Sequence, residues 1–274
     1  MPELPEVETL KLSLQGNITG STIMDVEIRR ANLRYPIPTS LKLDVSNNKI
    51  SNLRRIAKYL IIELANDKGI IIHLGMSGRF TLQTSAYMTK KHDHVIFHLD
   101  NDRYLVFNDA RRFGLIEISH LTELEEHRFF KNLGPEPLSF EFNADYLLQK
   151  LSVRNIPIKN SLMDNNIVVG IGNIYASESL FLAKVSPVRQ SCTLSRDEAK
   201  NLTAAAKNVL VKAIEAGGTT LRDFVNGDNT PGYFKQKLFV YGRNGQNCLV
   251  CGDIILKIKQ SGRATFFCPT CQKL

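Results

Sequence analysis

Cys248-Leu-Val-Cys251 and Cys268-Pro-Thr-Cys271 stand sixteen residues apart in the most basic part of the chain. Two C-x2-C pairs at this spacing are the pattern of a zinc ribbon, because a two-residue gap lets both thiolates of a knuckle face one tetrahedral ion. Gly252, just after the first pair, suits the left-handed turn that a knuckle needs. Four thiolates fill the coordination sphere, so the expected cofactor is one structural Zn2+ with no open position for chemistry. Two disulfides are the rival pairing. The segment Met1-Pro-Glu-Leu-Pro-Glu-Val-Glu8 is acidic where a secretion signal is basic, which points to a reducing, cytoplasmic setting and against disulfides. Cys192 is left over; a lone cysteine is more often a small buried apolar residue than a nucleophile, and no role is assigned to it.

Charge is concentrated in the same region. The 274 residues carry a formal net charge of +8, and from Pro231 to Leu274 seven Lys or Arg face Asp253 alone. A polyanion is the natural partner, nucleic acid before a membrane surface. The bland alternative is a solvated basic face. With 43% apolar and 23% charged residues the chain has ordinary globular composition, which excludes wholesale disorder and a fibrous repeat. Apolar runs such as Tyr59–Leu64 and Gly69–Ile72 have strand length, so no membrane span is expected.

Upstream, Pro5–Gln15 places Val7, Leu10 and Leu14 at helical spacing, with Glu6 and Glu8 early and Gly16 as a stop. From Ile23 to Ile118 the texture is strand-like: Ile23–Ile28, Tyr59–Leu64, Ile70–Leu74, Val95–Leu99, Tyr104–Phe107 and Leu115–Ile118. Beyond Leu133-Gly-Pro-Glu-Pro137 it turns helical, over Ala144–Leu151, Ile158–Asp164, Ile174–Lys184 and Arg196–Ala216. Asn226–Gly232 reads as a loop. The expected fold class is therefore α+β, in three parts: an antiparallel β-sandwich with its N-terminal helix over 1–132, a helical part over 133–230 and a zinc finger over 231–274. Between two of the helices, Asn165-Asn166, Gly170 and Gly172-Asn173 make a two-step turn. The second helix would start with free N–H groups, a ready phosphate site. A plain helical hairpin with an Asn cap fits as well.

Several stretches then carry a family resemblance. They are Pro2-Glu-Leu-Pro-Glu-Val-Glu-Thr9, Lys58-Tyr-Leu60, His73-Leu-Gly-Met-Ser-Gly78, Lys91-His-Asp-His94, Asn108-Asp-Ala-Arg-Arg-Phe-Gly114 and Leu133-Gly-Pro-Glu-Pro137. Further on stand Gly170-Ile-Gly-Asn-Ile-Tyr-Ala-Ser-Glu178, Gly217-Gly-Thr-Thr220, Pro231-Gly-Tyr-Phe234, Val240-Tyr-Gly-Arg243 and Arg263-Ala-Thr-Phe266 within the ribbon. In this order and nearly end to end, the chain resembles the bacterial formamidopyrimidine-DNA glycosylases. Leu4, where the endonuclease VIII branch usually has Gly, favours the oxidised-purine branch. The resemblance implies a helix–two-turn–helix domain between the sandwich and the zinc finger, with DNA in a cleft. It also implies a monomer that removes oxidised purines (8-oxoguanine and formamidopyrimidines) from double-stranded DNA and cuts the strand at abasic sites by β,δ-elimination.

The same resemblance assigns roles. Pro2, freed by loss of Met1, is the nucleophile; alone it would read as a helix-start proline. A terminal amine has a pKa of about 7.7–8.0, so a useful fraction is neutral at pH 7. Glu3 is the general acid, and Glu6 supports the two. Lys58 is a proton donor and phosphate contact. Arg263 clamps the lesion's phosphates, with Asn173 on the same phosphates. Met76, Arg111 and Phe113 fill the hole left by the everted base, although Met76 and Phe113 alone would be read as core. His73, His92 and Arg154 are further DNA-binding positions, and Asn226–Phe234 closes over the base. The His92-Asp93-His94 cluster is a poor metal site. Asn160-Ser161 and Arg222 depart from common family residues near the expected DNA or lesion pocket. Two other classes compete: a non-catalytic DNA-binding zinc protein, which has no use for Pro2-Glu3, and a hydrolase with a metal at the His cluster.

Overall fold

The computed structural model describes residues 2–84, 86–219 and 238–273. Met1, Arg222 and the Asn226–Phe234 loop lie outside them. The chain divides into two compact units, Met1–Lys131 with Ala216–Lys235, and Asn132–Glu215 with Gln236–Leu274.

In the first unit, α1 (Leu4–Ile18) buries Leu4, Val7, Leu10, Leu14 and Ile18 along one stripe. Pro5 sits in the first turn, where its missing N–H costs nothing. Gly16 does not stop the helix: Ile18, fully buried, extends the apolar stripe past it. A short helix, α2, covers Leu41–Val45.

Among the described residues, eight antiparallel strands form two linked halves. One half has the order β5-β7-β6-β1, from Arg79–Gln83, Tyr104–Asn108, Asp93–Leu99 and Thr22–Ile28. The other is β2-β3-β4-β8, from Asn48–Ile56, Tyr59–Leu64, Lys68–His73 and Leu115–His120. Only Thr22↔Lys49 and Ile23↔Asn48 pair across the join. The inner faces share one core, with Leu60, Ile62, Ile72, Phe80, Phe97 and Phe107 meeting the buried stripe of α1.

Six of these strands stand where the sequence texture places them; β2 and β5 carry no such signal. In β2 the register shifts between Ile50 and Asn52, so its buried positions, Ile50 and Leu53, fall three apart and the period-two signal is lost. Arg79–Gln83 mixes polar and apolar residues over five positions, too few to reveal a period.

The second unit holds α3 (Ala144–Leu151), α4 (Ile158–Leu162), α5 (Asn173–Leu182) and α6 (Arg196–Glu215). Asn143 caps α3, its side chain accepting from the Tyr146 N–H at 3.0 Å. Helix α5 is buried from Ile174 to Phe181, hence its lack of a polar face. Between α4 and α5 the two-step turn passes through Gly170 at φ +78°. Gly134 lies against it: its N–H donates to Asn165 O at 2.7 Å, and a Cβ there would sit 2.6 Å from Ile167 O. A two-stranded hairpin, β9 (Leu256–Gln260) and β10 (Arg263–Phe267), completes the unit. Cys192 is exposed, not buried as a lone cysteine most often is, and its Sγ lies 3.0 Å from Asn155 Oδ1. Among the described residues no helix is long and apolar enough to cross a membrane.

Candidate active site and nucleic-acid interface

The start of α1 is fixed by a reciprocal cap. The Glu3 N–H donates to Glu6 Oε2 at 2.8 Å, while the Glu3 side chain accepts from the Glu6 N–H. Glu6 Oε1 also accepts from the Thr219 N–H at 2.8 Å. Gly218 lies beside it at φ +79°, where a Cβ would come within 3.3 Å of the Glu6 side chain. Pro2, Glu3 and Glu6 are all buried. A carboxylate at a helix N-terminus is favoured by the dipole, so Glu6 supports the segment that Pro2 and Glu3 belong to.

Lys58 sits in the tight β2–β3 turn, after Ala57 at φ +54°. Arg55 ties that turn to α1 through Glu8 Oε2, at 2.7 Å. Its neighbour Tyr59 packs on His73, with ring centroids 4.8 Å apart. Burial, with the positive charges of Lys58 and Arg34, pushes the His73 pKa down to about 4. The ring is neutral at pH 7 and its Nδ1 accepts from the Gly75 N–H at 3.0 Å. His73 thus holds the turn that carries Met76; it is a half-buried ring, not an exposed cation.

Met76, Arg111 and Phe113 are all exposed, and the Arg111 guanidinium lies 5.1 Å over the Phe113 ring. Their two loops meet at Gly75, whose Cβ, were there one, would lie 2.3 Å from the Phe113 backbone. His92 is half-buried nearby in sequence to His94, but the His94 Nε2 is 2.8 Å from Asp109 O, so the two rings are not aimed at a shared ion.

In the second unit, Asn173 is the first residue of α5. Its Nδ2 donates to Ala264 O at 2.9 Å, next to Arg263. Arg263 is exposed at the head of β10, after a two-residue turn through Ser261 (φ 45°) and Gly262 (φ 78°). Asn160 and Ser161, where the chain departs from common family residues, both have partners: Asn160 Nδ2 donates to Ser261 Oγ at 2.8 Å, and Ser161 Oγ meets Ser191 Oγ at 2.8 Å. Arg154 is half-buried in an ion pair with Asp164, 2.7 Å apart. Any phosphate would compete with that carboxylate.

The four cysteines form the only group of His, Cys, Asp or Glu among the described residues that could hold a metal ion. Their sulfurs lie within 4.8 Å of one another, with Cys248–Cys271 at 3.8 Å and Cys251–Cys268 at 3.4 Å. An ion bound at about 2.3 Å by four sulfurs places them about 3.8 Å apart in a tetrahedron. Backbone N–H groups of Val250 and Cys271 point at Cys248 and Cys268 sulfurs, as thiolates require. Gly252 takes φ +84° in the first knuckle.

Residues 1–116 match the family model of the formamidopyrimidine-DNA glycosylase N-terminal domain, and residues 133–225 match that of its H2TH domain. Residues 245–274 match the zinc finger found in FPG and IleRS. The chain belongs to the formamidopyrimidine-DNA glycosylase family. Formamidopyrimidine-DNA glycosylase of Rickettsia bellii is 60% identical over 273 residues, all of both chains, and that of Rickettsia africae 57% over 99% of both. Lactococcus lactis Fpg bound to DNA with an abasic site superposes with a TM-score of 0.92 at 35% identity, covering 99% of this chain and 100% of that one. Thermus thermophilus MutM gives 0.89 at 36% identity, over 99% and 98%.

The protein is thus a DNA glycosylase acting on damaged DNA, and its zinc finger holds one structural Zn2+ through Cys248, Cys251, Cys268 and Cys271. The ion cross-links the two knuckles that flank the β9–β10 hairpin. Three buried charged residues of this glycosylase have no mark in the sequence. Lys159 is buried, its Nζ donating to Asn173 Oδ1, Thr265 Oγ1 and Ala264 O. Glu178 is buried and accepts from the N–H groups of Phe239, Val240 and Tyr241 at 2.8–3.0 Å. Asp109 is fully buried beneath the Arg111–Phe113 loop. In the sequence Lys159 is only a charge within an apolar helical stretch, and Glu178 and Asp109 lie inside the family-like stretches with nothing to mark them as buried.

Proposed function

We propose that this glycosylase excises oxidised purines, 8-oxoguanine and ring-opened formamidopyrimidines, from duplex DNA and then cleaves the strand at the abasic site by β,δ-elimination. It acts as a monomer, in the bacterial cytoplasm on nucleoid DNA. The division of labour is that of three segments: 1–132 for catalysis, 133–230 for DNA binding, and 231–274 as the finger.

The observation that carries the reading is the double cap on α1. The Glu3–Glu6 exchange and the Thr219 N–H hold Pro2-Glu3 in one place, as a nucleophile and its acid partner require. Loss of Met1 turns the Pro2 nitrogen into a secondary amine. That nitrogen bonds to C1′ as the C1′–base bond breaks, and it gives up its own proton. The C1′–O4′ bond then opens, its electron pair going to O4′, with Glu3 supplying a proton to the sugar ring oxygen or the leaving base. A secondary amine cannot shed its charge to give a neutral imine, so a cationic iminium remains. The cation acidifies the C2′ proton; its removal expels the 3′ phosphate, and a second elimination expels the 5′ phosphate. Lys58 moves protons in the first elimination. Arg263 stabilises the phosphate charge in the second, beside Asn173. Met76, Arg111 and Phe113 occupy the vacated stack, with Arg111 on the orphaned cytosine. His73, His92 and Arg154 complete the DNA contacts.

Borohydride reduction during incubation with an 8-oxoguanine duplex tests the reading. A covalent protein–DNA adduct that disappears in Pro2→Gly is expected. No adduct, or one that survives the substitution unchanged, overturns it.

A further inference from the structure

We propose that Asp109 is the positioning residue for base eversion, its buried carboxylate holding the loops of Met76, Arg111 and Phe113 as one rigid tip. The inference rests on the wedge role given to those three side chains above.

Asp109 has 0% exposure and lies between the two loops. Its Oδ1 accepts from the Ser77 hydroxyl at 2.7 Å and the Arg111 N–H at 3.2 Å, and its Oδ2 from the Gly114 N–H at 2.8 Å. Ser77 adjoins Met76, and Arg111 and Gly114 bracket Phe113. Each wedge side chain is therefore on, or next to, a residue bonded to this carboxylate. The Asp109 backbone extends the hold: its N–H donates to His92 O at 3.1 Å, and its carbonyl accepts from the Arg112 N–H at 3.3 Å. Arg112 sits at φ +59°, a left-handed conformation unfavourable for a side chain of its kind, so the loop needs such bonds to keep its shape.

The need follows from exposure. Met76 is 39% and Phe113 44% exposed, so packing does little to order them before DNA arrives. A wedge that must be ordered on binding loses side-chain and loop entropy at the moment the base leaves the stack. Bonding both loops to one buried carboxylate removes that cost beforehand. Asp109 touches neither the lesion nor the reacting atoms. It acts through Met76, Arg111 and Phe113.

The test compares one lesion in two settings. Paired with cytosine, 8-oxoguanine leaves a hole that must be filled; in a single-nucleotide bulge it has no partner to orphan. Asp109→Asn keeps the shape but turns one acceptor into a donor, so that one of the three donors around it loses its acceptor. Single-turnover excision of the paired lesion is expected to fall at least tenfold, and of the bulged lesion less than twofold. Ser77→Ala, which removes the Ser77 link and the 3.3 Å acceptor it offers the Arg111 N–H but leaves the Arg111 and Gly114 bonds to the carboxylate, should lower the paired-to-bulged ratio about threefold, and it carries the test if Asp109→Asn does not fold. In a Phe113→Ala background, Asp109→Asn should lower the paired rate by a smaller factor than in the wild type, because one of the three groups it acts through is gone. An equal fall on both substrates, or an undiminished fall in the Phe113→Ala background, overturns the proposal. A wild-type enzyme that excises neither lesion overturns the underlying reading instead.

Discussion

Lys159 Nζ lies 2.5 Å from Asn173 Oδ1, and the lysine is 1% exposed. The same ammonium donates to Thr265 Oγ1 at 2.7 Å and Ala264 O at 3.2 Å. A buried cation is tolerated only when its hydrogen bonds are met. Here they are met by the first residue of α5 and by the strand that begins at Arg263. One charge therefore fixes the Asn173 amide and the root of the Arg263 hairpin together, the two groups given to the lesion's phosphates.

Replacing Lys159 with Met keeps the apolar stem and takes this donor from Asn173 Oδ1 and Thr265 Oγ1, while Ala264 O keeps the Asn173 amide. Each buried group left unpaired costs about 1–3 kcal/mol. Urea unfolding should show a lower midpoint, and affinity for an abasic-site duplex should fall about tenfold while bound zinc stays at one per chain. Unchanged affinity would detach Lys159 from the phosphate site.

Removing the metal should loosen the hairpin and leave the sandwich. Cys268→Ser, or a strong chelator, is expected to abolish stoichiometric zinc and to cut DNA affinity at least tenfold, because Arg263 stands on the hairpin between the knuckles. Amide hydrogen exchange should rise over Leu256–Phe267 and remain low in Tyr59–Leu64. Equal exchange in both would contradict a local structural role for the ion.

His73 titrates from an ordinary value of 6.5 down to about 4 in the folded protein. The unfolded chain thus takes up the proton first as pH falls. The stabilisation is complete above pH 6.5 and is lost progressively toward about 4. By pH 5 this amounts to a loss on the order of 2 kcal/mol. Denaturation at pH 7 and pH 5 should show it in the wild type. His73→Gln, which keeps an acceptor for Gly75, should show a smaller drop.

DNA binding should weaken steeply with salt, since each neutralised phosphate releases counterions. Arg263→Ala should lower the log–log slope by about 1. A slope equal to that of the wild type would take Arg263 off the phosphates.

The sequence was most legible where physics imposes a spacing. Four cysteines set by tetrahedral geometry were readable, as were Tyr59–Leu64 and Ala144–Leu151, whose bounds match β3 and α3. Legibility failed where a bulge broke the period, in Asn48–Ile56, and where burial inverted the usual meaning of a residue. Lys159, Glu178 and Asp109 are charged and look like surface. Only the fold shows that each is enclosed and satisfied by groups distant in the chain, such as Thr265 for Lys159 or Tyr241 for Glu178. The Arg154–Asp164 ion pair is likewise absent from any local pattern, since its partner stands ten residues on, past the end of α4.

Gly75 leaves no volume between the two loops at its side, with a hypothetical Cβ 2.3 Å from the Phe113 backbone. For anyone altering the proposed wedge by library selection, the joint and the tip must be treated as different materials. Diversity belongs at 76, 111 and 113, whose side chains stand clear of the scaffold. Randomising position 75 would spend most clones on misfolded loops.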